Sequence, residues 1–211
     1  MTVISSYLLP GLPHPLLCPE ANDGYMRLNQ AFLSVKKEIE ESEADVLLIY
    51  STMWPSVIGH QIQSRTRPKW THVDELFHDL GSIPYEFHID TDLANEICLA
   101  GKKKGLECRT IDYHGFPIDT GSVTALKLLN PSNRIPSVIF SSNVYADRAE
   151  TVVLGKSISQ SLKAQGKKAI AIIVSTLSNR LHQNPFEPAD DHETTLPLSS
   201  AIEMIVLLKV E

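Results

Sequence analysis

Short apolar runs alternate along this chain with segments whose apolar positions recur every three or four residues. The runs at 3–9, 45–51, 85–89, 107–112, 135–141 and 168–175 read as strands. The run at 45–51 is continuously apolar, as expected of a strand buried on both faces of a parallel sheet. Leu28, Phe32, Val35 and Ile39 fall at helical spacing, with Lys and Glu opposite them. They predict a helix running from a cap at Asn22 or Asp23 to about Glu41. Further helices are predicted from Thr91 or Asp92 to near Gly101, and over 122–129 and 146–164, with a short one within 71–80. Strand and helix alternate throughout. The class is therefore α/β, a mixed, largely parallel central sheet with helices on both faces. Residues 10–19 carry too many prolines to continue a strand or start a helix cleanly. Residues 53–71 read as one long polar loop, the kind that is functional or contacts a partner.

Composition narrows the picture. With 211 residues, 43% of them hydrophobic, the chain suits one domain with a sizeable core, placed at 1–193 with a divergent tail at 194–211. A net charge of −6 argues against binding nucleic acid or an anionic membrane. The one tight basic run, Lys102-Lys103-Lys104, falls at a predicted helix C-terminus, where cations complement the dipole. Three cysteines, Cys18, Cys98 and Cys108, fit neither a disulfide framework nor a zinc ribbon, so a reducing cytoplasm is expected. The apolar start lacks a basic leader and is broken by Pro10, Pro13 and Pro15, so it reads as strand and loop. No run is long enough to span a bilayer.

Candidate chemistry gathers at the strand ends. Gly11-Leu12-Pro13-His14-Pro15 and Ser51-Thr52-Met53-Trp54-Pro55 each follow an apolar strand, and in a parallel sheet two such loops share a rim. His14, held between prolines, is a rigid candidate ligand. His72, Asp74 and His78 cluster in sequence, with Asp74 and His78 one helical turn apart, but without a zincin spacing. A solvated helix is the simpler reading. Asp119-Thr120-Gly121 matches the aspartic-protease triplet, yet it occurs once and helices flank it, so Asp119 or Thr120 is assigned to helix capping. The last strand runs into Ser175-Thr176-Leu177-Ser178-Asn179, with His182 close behind. No Walker loop, dinucleotide fingerprint or nucleophile elbow is present, so no nucleotide cofactor is expected.

Five motifs taken in order carry a resemblance: Leu12-Pro13-His14-Pro15, Tyr50-Ser51-Thr52-Met53-Trp54, Tyr113-His114-Gly115 with Pro117, Ile135-Pro136-Ser137-Val138, and Ser175-Thr176-Leu177-Ser178-Asn179. Together they resemble the class III extradiol ring-cleavage dioxygenases over about residues 1–193. Stretches 49–61, 70–84, 113–130 and 145–155 are most similar to the α subunits of members that open aminophenol rings. The resemblance implies ring opening by O2 at an Fe(II) held by two histidines and a carboxylate, with a further histidine as acid and base. On that pattern His14 matches the first iron histidine and His114 a pocket histidine. Met53 stands where active members have the second iron histidine, and Asn179 where they have the catalytic one. His60 and His182 complete a vestigial pocket. The glutamate ligand finds no counterpart, since the sequence from Thr194 departs from the pattern and the C-terminal part reads as truncated. A thioether is a poor substitute for imidazole on Fe(II), and an amide cannot act as a base. The resemblance thus implies a non-catalytic subunit with no iron of its own, or His14 weakly metal-binding at most. It also implies a homologous β partner that carries Fe(II) in an α2β2 assembly. Two other readings remain open: a self-sufficient Fe(II) dioxygenase using His14 with His60 or His114, and a non-enzymatic binding module on the same fold.

Overall fold

A computed structural model of the chain describes residues 2–175. Asn179, His182 and the tail from Thr194 lie outside the described residues. The elements, in order, are β1 (Val3–Pro10), α1 (His14–Leu17), α2 (Asp23–Glu41), β2 (Val46–Ser56), β3 (His60–Gln63), β4 (Lys69–His72), β5 (Ile83–Glu86), α3 (Thr91–Lys103), β6 (Cys108–Ile111), α4 (Thr120–Leu129), β7 (Ser137–Asn143), α5 (Arg148–Gln165) and β8 (Ala169–Ser175). Among the described residues six strands form one sheet in the order β1-β8-β2-β7-β3-β6. Every neighbouring pair is parallel except β3 with β7. The mixed, mostly parallel sheet of the expected class is therefore present.

Alternation along β2 sorts the core into two layers. Leu47 and Ile49 face one way, with Leu28, Phe32, Val35 and Ile39 of α2 and with Val123, Leu126 and Leu129 of α4. Val46 and Leu48 face the other way, with Leu93 and Ile97 of α3 and Leu154 and Leu162 of α5. A one-residue slip in β2 would exchange the two sets, which fixes its register. The four long helices start at side-chain caps. Asn22, Asp90, Asp119 and Asp147 each accept the backbone N–H three residues on. Asp119 therefore caps α4 as expected, whereas the cap of α3 is Asp90, one residue before the predicted choice. The basic run 102–104 does end α3. No helix among the described residues is long and apolar enough to cross a membrane.

Three expectations are corrected. Residues 10–19 do start a helix, the single turn α1, because Pro13 and Pro15 occupy the cap and first turn, where a missing N–H matters least. The expected loop over 53–71 is largely strand. β2 continues to Ser56, Gly59 turns the chain with φ +87°, and β3 then joins the sheet. A side chain at Gly59 would strike the carbonyl oxygen of Glu107 at 2.4 Å. The short helix within 71–80 shrinks to a 3-10 turn at His78–Leu80. Asp74 is not on a helix face with His78. It accepts the N–H groups of Leu76 and Phe77 instead, an Asx turn that competes with helix.

Candidate functional site

The strand-end rim begins at β1 and β2, with β8 between them. The pairing of β2 with β7 jumps from Ser51 to Pro55, so Thr52, Met53 and Trp54 have no partner on β7. Such an irregularity re-aims side chains next to a site. Here it turns Met53 onto the neighbouring loops. A Cβ placed on Gly11 would lie 2.8 Å from Met53 Cγ and 3.2 Å from its sulfur, and one on Gly121 would lie 3.0 Å from the same Cγ. Met53 thus fills the space between the loop after β1 and the first turn of α4. Thr52 hydrogen-bonds Ser175 at 3.0 Å and ties this rim to the end of β8.

His14 opens α1, and Asn29 of α2 donates to the carbonyl of Pro15 at 2.7 Å, which anchors the turn. The imidazole is buried between two rings, Tyr25 at 4.5 Å and Phe77 edge-on at 4.5 Å. Its Nδ1 is buried with no hydrogen-bond partner. Burial lowers its pKa, partly offset by the nearby Asp74. The ring is therefore neutral at neutral pH and caged by aromatic carbon.

A polar chain borders this cage. Thr120 donates its hydroxyl proton to Asp74, and the same oxygen lies 2.6 Å from His72 Nε2. A hydroxyl carries one proton, so His72 is the donor to Thr120 and holds its proton on Nε2. Burial lowers the His72 pKa, and Asp74, Asp119 and Glu75 pull it back. Next along α4, the other oxygen of this polar rim is supplied by Asp119. Its Oδ1 accepts from Ser51 at 2.7 Å and from the Ser122 N–H at 3.0 Å, while its Oδ2 is buried without a partner. Sequence reasoning noted the cluster of His72 and Asp74 with His78, and Thr120 apart from it, but missed that Thr120 joins the first two. The available signal was the spacing of His72 and Asp74 at the end of a strand.

The remaining candidates among the described residues, His60 and His114, are not brought to this place. His60 is fully enclosed in β3, where its Nε2 faces Glu150 of α5 at 3.4 Å. His60 is thus not on the loop expected over 53–71, because β3 and its pairing with β6 hold it in the sheet. His114 is exposed on the loop before α4, near Gly115, which lies under Trp70. An open groove of about 660 Å³ follows the β4–β5 ribbon, lined by Lys69, Trp70, Thr71, Pro84, Tyr85 and Glu86. Among the described residues, none of the sequence-predicted site residues lines it. Among the described residues no group of three His, Cys, Asp or Glu side chains is placed to hold a metal ion. The Thr120 hydroxyl stands between His72 and Asp74 and engages both. The described residues do not fit an Fe(II) facial triad.

Comparison with known proteins agrees with the ordered motifs. The family described as the catalytic LigB subunit of aromatic ring-opening dioxygenase matches residues 10–196. The chain is 35% identical over 192 residues to the 2-aminophenol 1,6-dioxygenase alpha subunit of a Pseudomonas species, covering 90% of this chain and 70% of that subunit. It is 30% identical over 203 residues to a Pseudomonas 2-aminophenol 1,6-dioxygenase beta subunit, covering 89% of this chain and 67% of the relative. Among solved structures, an uncharacterized protein from Escherichia coli K12 superposes with a TM-score of 0.54 at 15% identity. That match covers 81% of this chain but only 59% of the other, a likeness of fold.

Proposed function

This chain belongs to the LigB family of aromatic ring-opening dioxygenases, and we propose that it acts there as a non-catalytic α subunit. Its partner is a homologous β subunit that carries the Fe(II), in an α2β2 assembly in the cytoplasm. The complex opens the ring of 2-aminophenol, or a substituted 2-aminophenol, with O2. The observation that carries this reading is the packing of Met53. The position where the family resemblance calls for a second iron histidine holds a thioether wedged against Gly11 and Gly121. His14, after β1, is caged by Tyr25 and Phe77 rather than open to a shared ligand. The two Pseudomonas relatives, named as the alpha and beta subunits of one enzyme, support the choice of partner. In this role the residues of the rim hold a shape. Met53, Thr120 and Asp119 lock the strand-end loops against α4.

The test is iron content together with 2-aminophenol-dependent O2 uptake, measured on the chain alone and on the chain with a β subunit. The expected result is no stoichiometric iron and no turnover for the chain alone, and turnover with the partner. One Fe(II) per chain with ring cleavage by the lone chain would overturn the reading.

A further inference from the structure

Away from the strand-end rim, the contact between α3 and β6 brings two of the three cysteines together. Cys98 lies on the buried face of α3 and Cys108 opens β6. Both are buried, and neither is in a disulfide. They belong to one buried cluster, where their thiols interact with each other. Gly101, one turn after Cys98 on the same buried helix face, lets the helix backbone sit against the strand. A Cβ there would stand 3.7 Å from the Cβ of Cys108. Side chains on a helix meet neighbours three and four positions away, so Lys102 reaches back to Cys98. Among the described residues β6 bonds to β3 alone, at the edge of the sheet. Elements at an edge open locally more readily than central ones, which gives a small oxidant access to buried sulfur.

We infer that Cys98 and Cys108 form a thiol pair that hydrogen peroxide converts into an intramolecular disulfide, a reversible clamp between α3 and the edge strand. The two sulfurs have unequal roles. Contact with Cys108 and the charge of Lys102 together hold the Cys98 thiol below its ordinary range, against the effect of burial. The Cys108 thiol is pushed up by that same contact and by burial. Cys98 is therefore the thiolate that attacks. Its sulfur breaks the O–O bond and becomes a sulfenic acid, and the departing hydroxide leaves as water after taking up a proton. Cys108 then attacks that sulfur, giving up its thiol proton, and the hydroxyl leaves as a second water. Two thiols lose two electrons in all, and one peroxide gains them.

The full-length chain is treated with hydrogen peroxide under native conditions, alkylated without reduction and mapped by mass spectrometry. The expected result is a cross-link joining the Cys98 and Cys108 peptides, a mass loss of about 2 Da, and Cys18 still open to alkylation, with dithiothreitol reversing the change. Cys108→Ser, which removes the resolving thiol, is expected to leave a dimedone-reactive sulfenic acid on Cys98. The inference is overturned if Cys98 and Cys108 both remain free thiols while Cys18 is oxidised, or if their cross-link forms only in urea. The mapping on the unaltered chain decides the matter even where Cys108→Ser fails to fold.

Discussion

At Gly121 one missing methyl decides how the rim closes. A Cβ there would lie 2.5 Å from Val174 Cγ1, 3.0 Å from Met53 Cγ and 3.2 Å from the Gly11 backbone. Two of these neighbours are side chains and one is backbone, so relaxing Met53 alone does not make room. The first turn of α4 sits this close to β8 only because position 121 has no side chain. Gly121→Ala is expected to destabilise the chain by roughly 1–3 kcal/mol, the usual penalty for overpacking. Urea denaturation checks this, with Gly121→Ala combined with Met53→Ala as the second arm. That double variant should recover part of the loss but not all of it, since Val174 still blocks the new methyl. Full recovery would mean that Met53 is the only obstacle and that the strand-end contact is looser than the geometry indicates. The same contact explains why Met53 is legible in the sequence only as an absence. Its residue type says what it cannot ligate, while what it packs against depends on two glycines far away along the chain.

Among the elements, those whose order comes from local signals were the ones the sequence exposed. α2 follows from Leu28, Phe32, Val35 and Ile39 at helical spacing and from the cap at Asn22. α4 follows from Asp119, already readable as a cap. β3 was hidden because its residues His60, Gln61, Ile62 and Gln63 are three parts polar yet all buried. Burial is possible there because Ser141 accepts the Gln61 N–H at 2.8 Å and Ser56 accepts from the Gln61 side chain at 3.0 Å. Both partners lie on other strands, and Ser141, which takes the backbone N–H, is eighty residues away, so a window of sequence around β3 lacks the main reason it is a strand. The segment after β4 was misread for a related cause. Its order comes from Thr120, which links His72 and Asp74 to α4 from far along the chain. Thr120→Val keeps the shape of the side chain and removes its hydroxyl, leaving His72 and Asp74 without that shared partner. It is expected to lower stability by about 1–2 kcal/mol, as for a hydrogen bond lost beside a charged group. Amide exchange over residues 72–80 should speed up in the same variant, while Thr120→Ser stays close to the unaltered chain. Unchanged exchange in Thr120→Val would show that the Asx turn at Asp74 holds this segment without the bridge.

The whole molecule keeps three imidazoles neutral inside one α/β layer system, and this sets its response to acid. His14, His60 and His72 all have pKa values lowered by burial below the ordinary 6.5. In each case a nearby carboxylate offsets the effect only in part: Asp74 for His14, Glu150 for His60, and Asp74, Asp119 and Glu75 for His72. In the unfolded chain these histidines bind a proton near pH 6.5, whereas in the folded chain they bind it only at lower pH. Below pH 6.5 the unfolded state therefore holds more protons, so stability falls as pH falls. Above that point both states are neutral, and the three groups add no pH dependence. Each histidine contributes a slope of at most about 1.4 kcal/mol per pH unit within the window between its two pKa values. His60 is the sharpest probe, because it is fully enclosed and faces the Glu150 carboxylate at 3.4 Å. His60→Gln removes the titration while retaining a polar side chain of similar reach. The expected outcome is that the loss of stability between pH 7.5 and pH 5.5 is smaller in His60→Gln than in the unaltered chain, measured by urea denaturation at both values. Restricting the range to above pH 5 keeps most carboxylate titration out of the comparison. An equal loss in both proteins would mean that Glu150 compensates the charged imidazole fully, so that His60 and Glu150 form an ion pair in acid rather than a buried neutral contact.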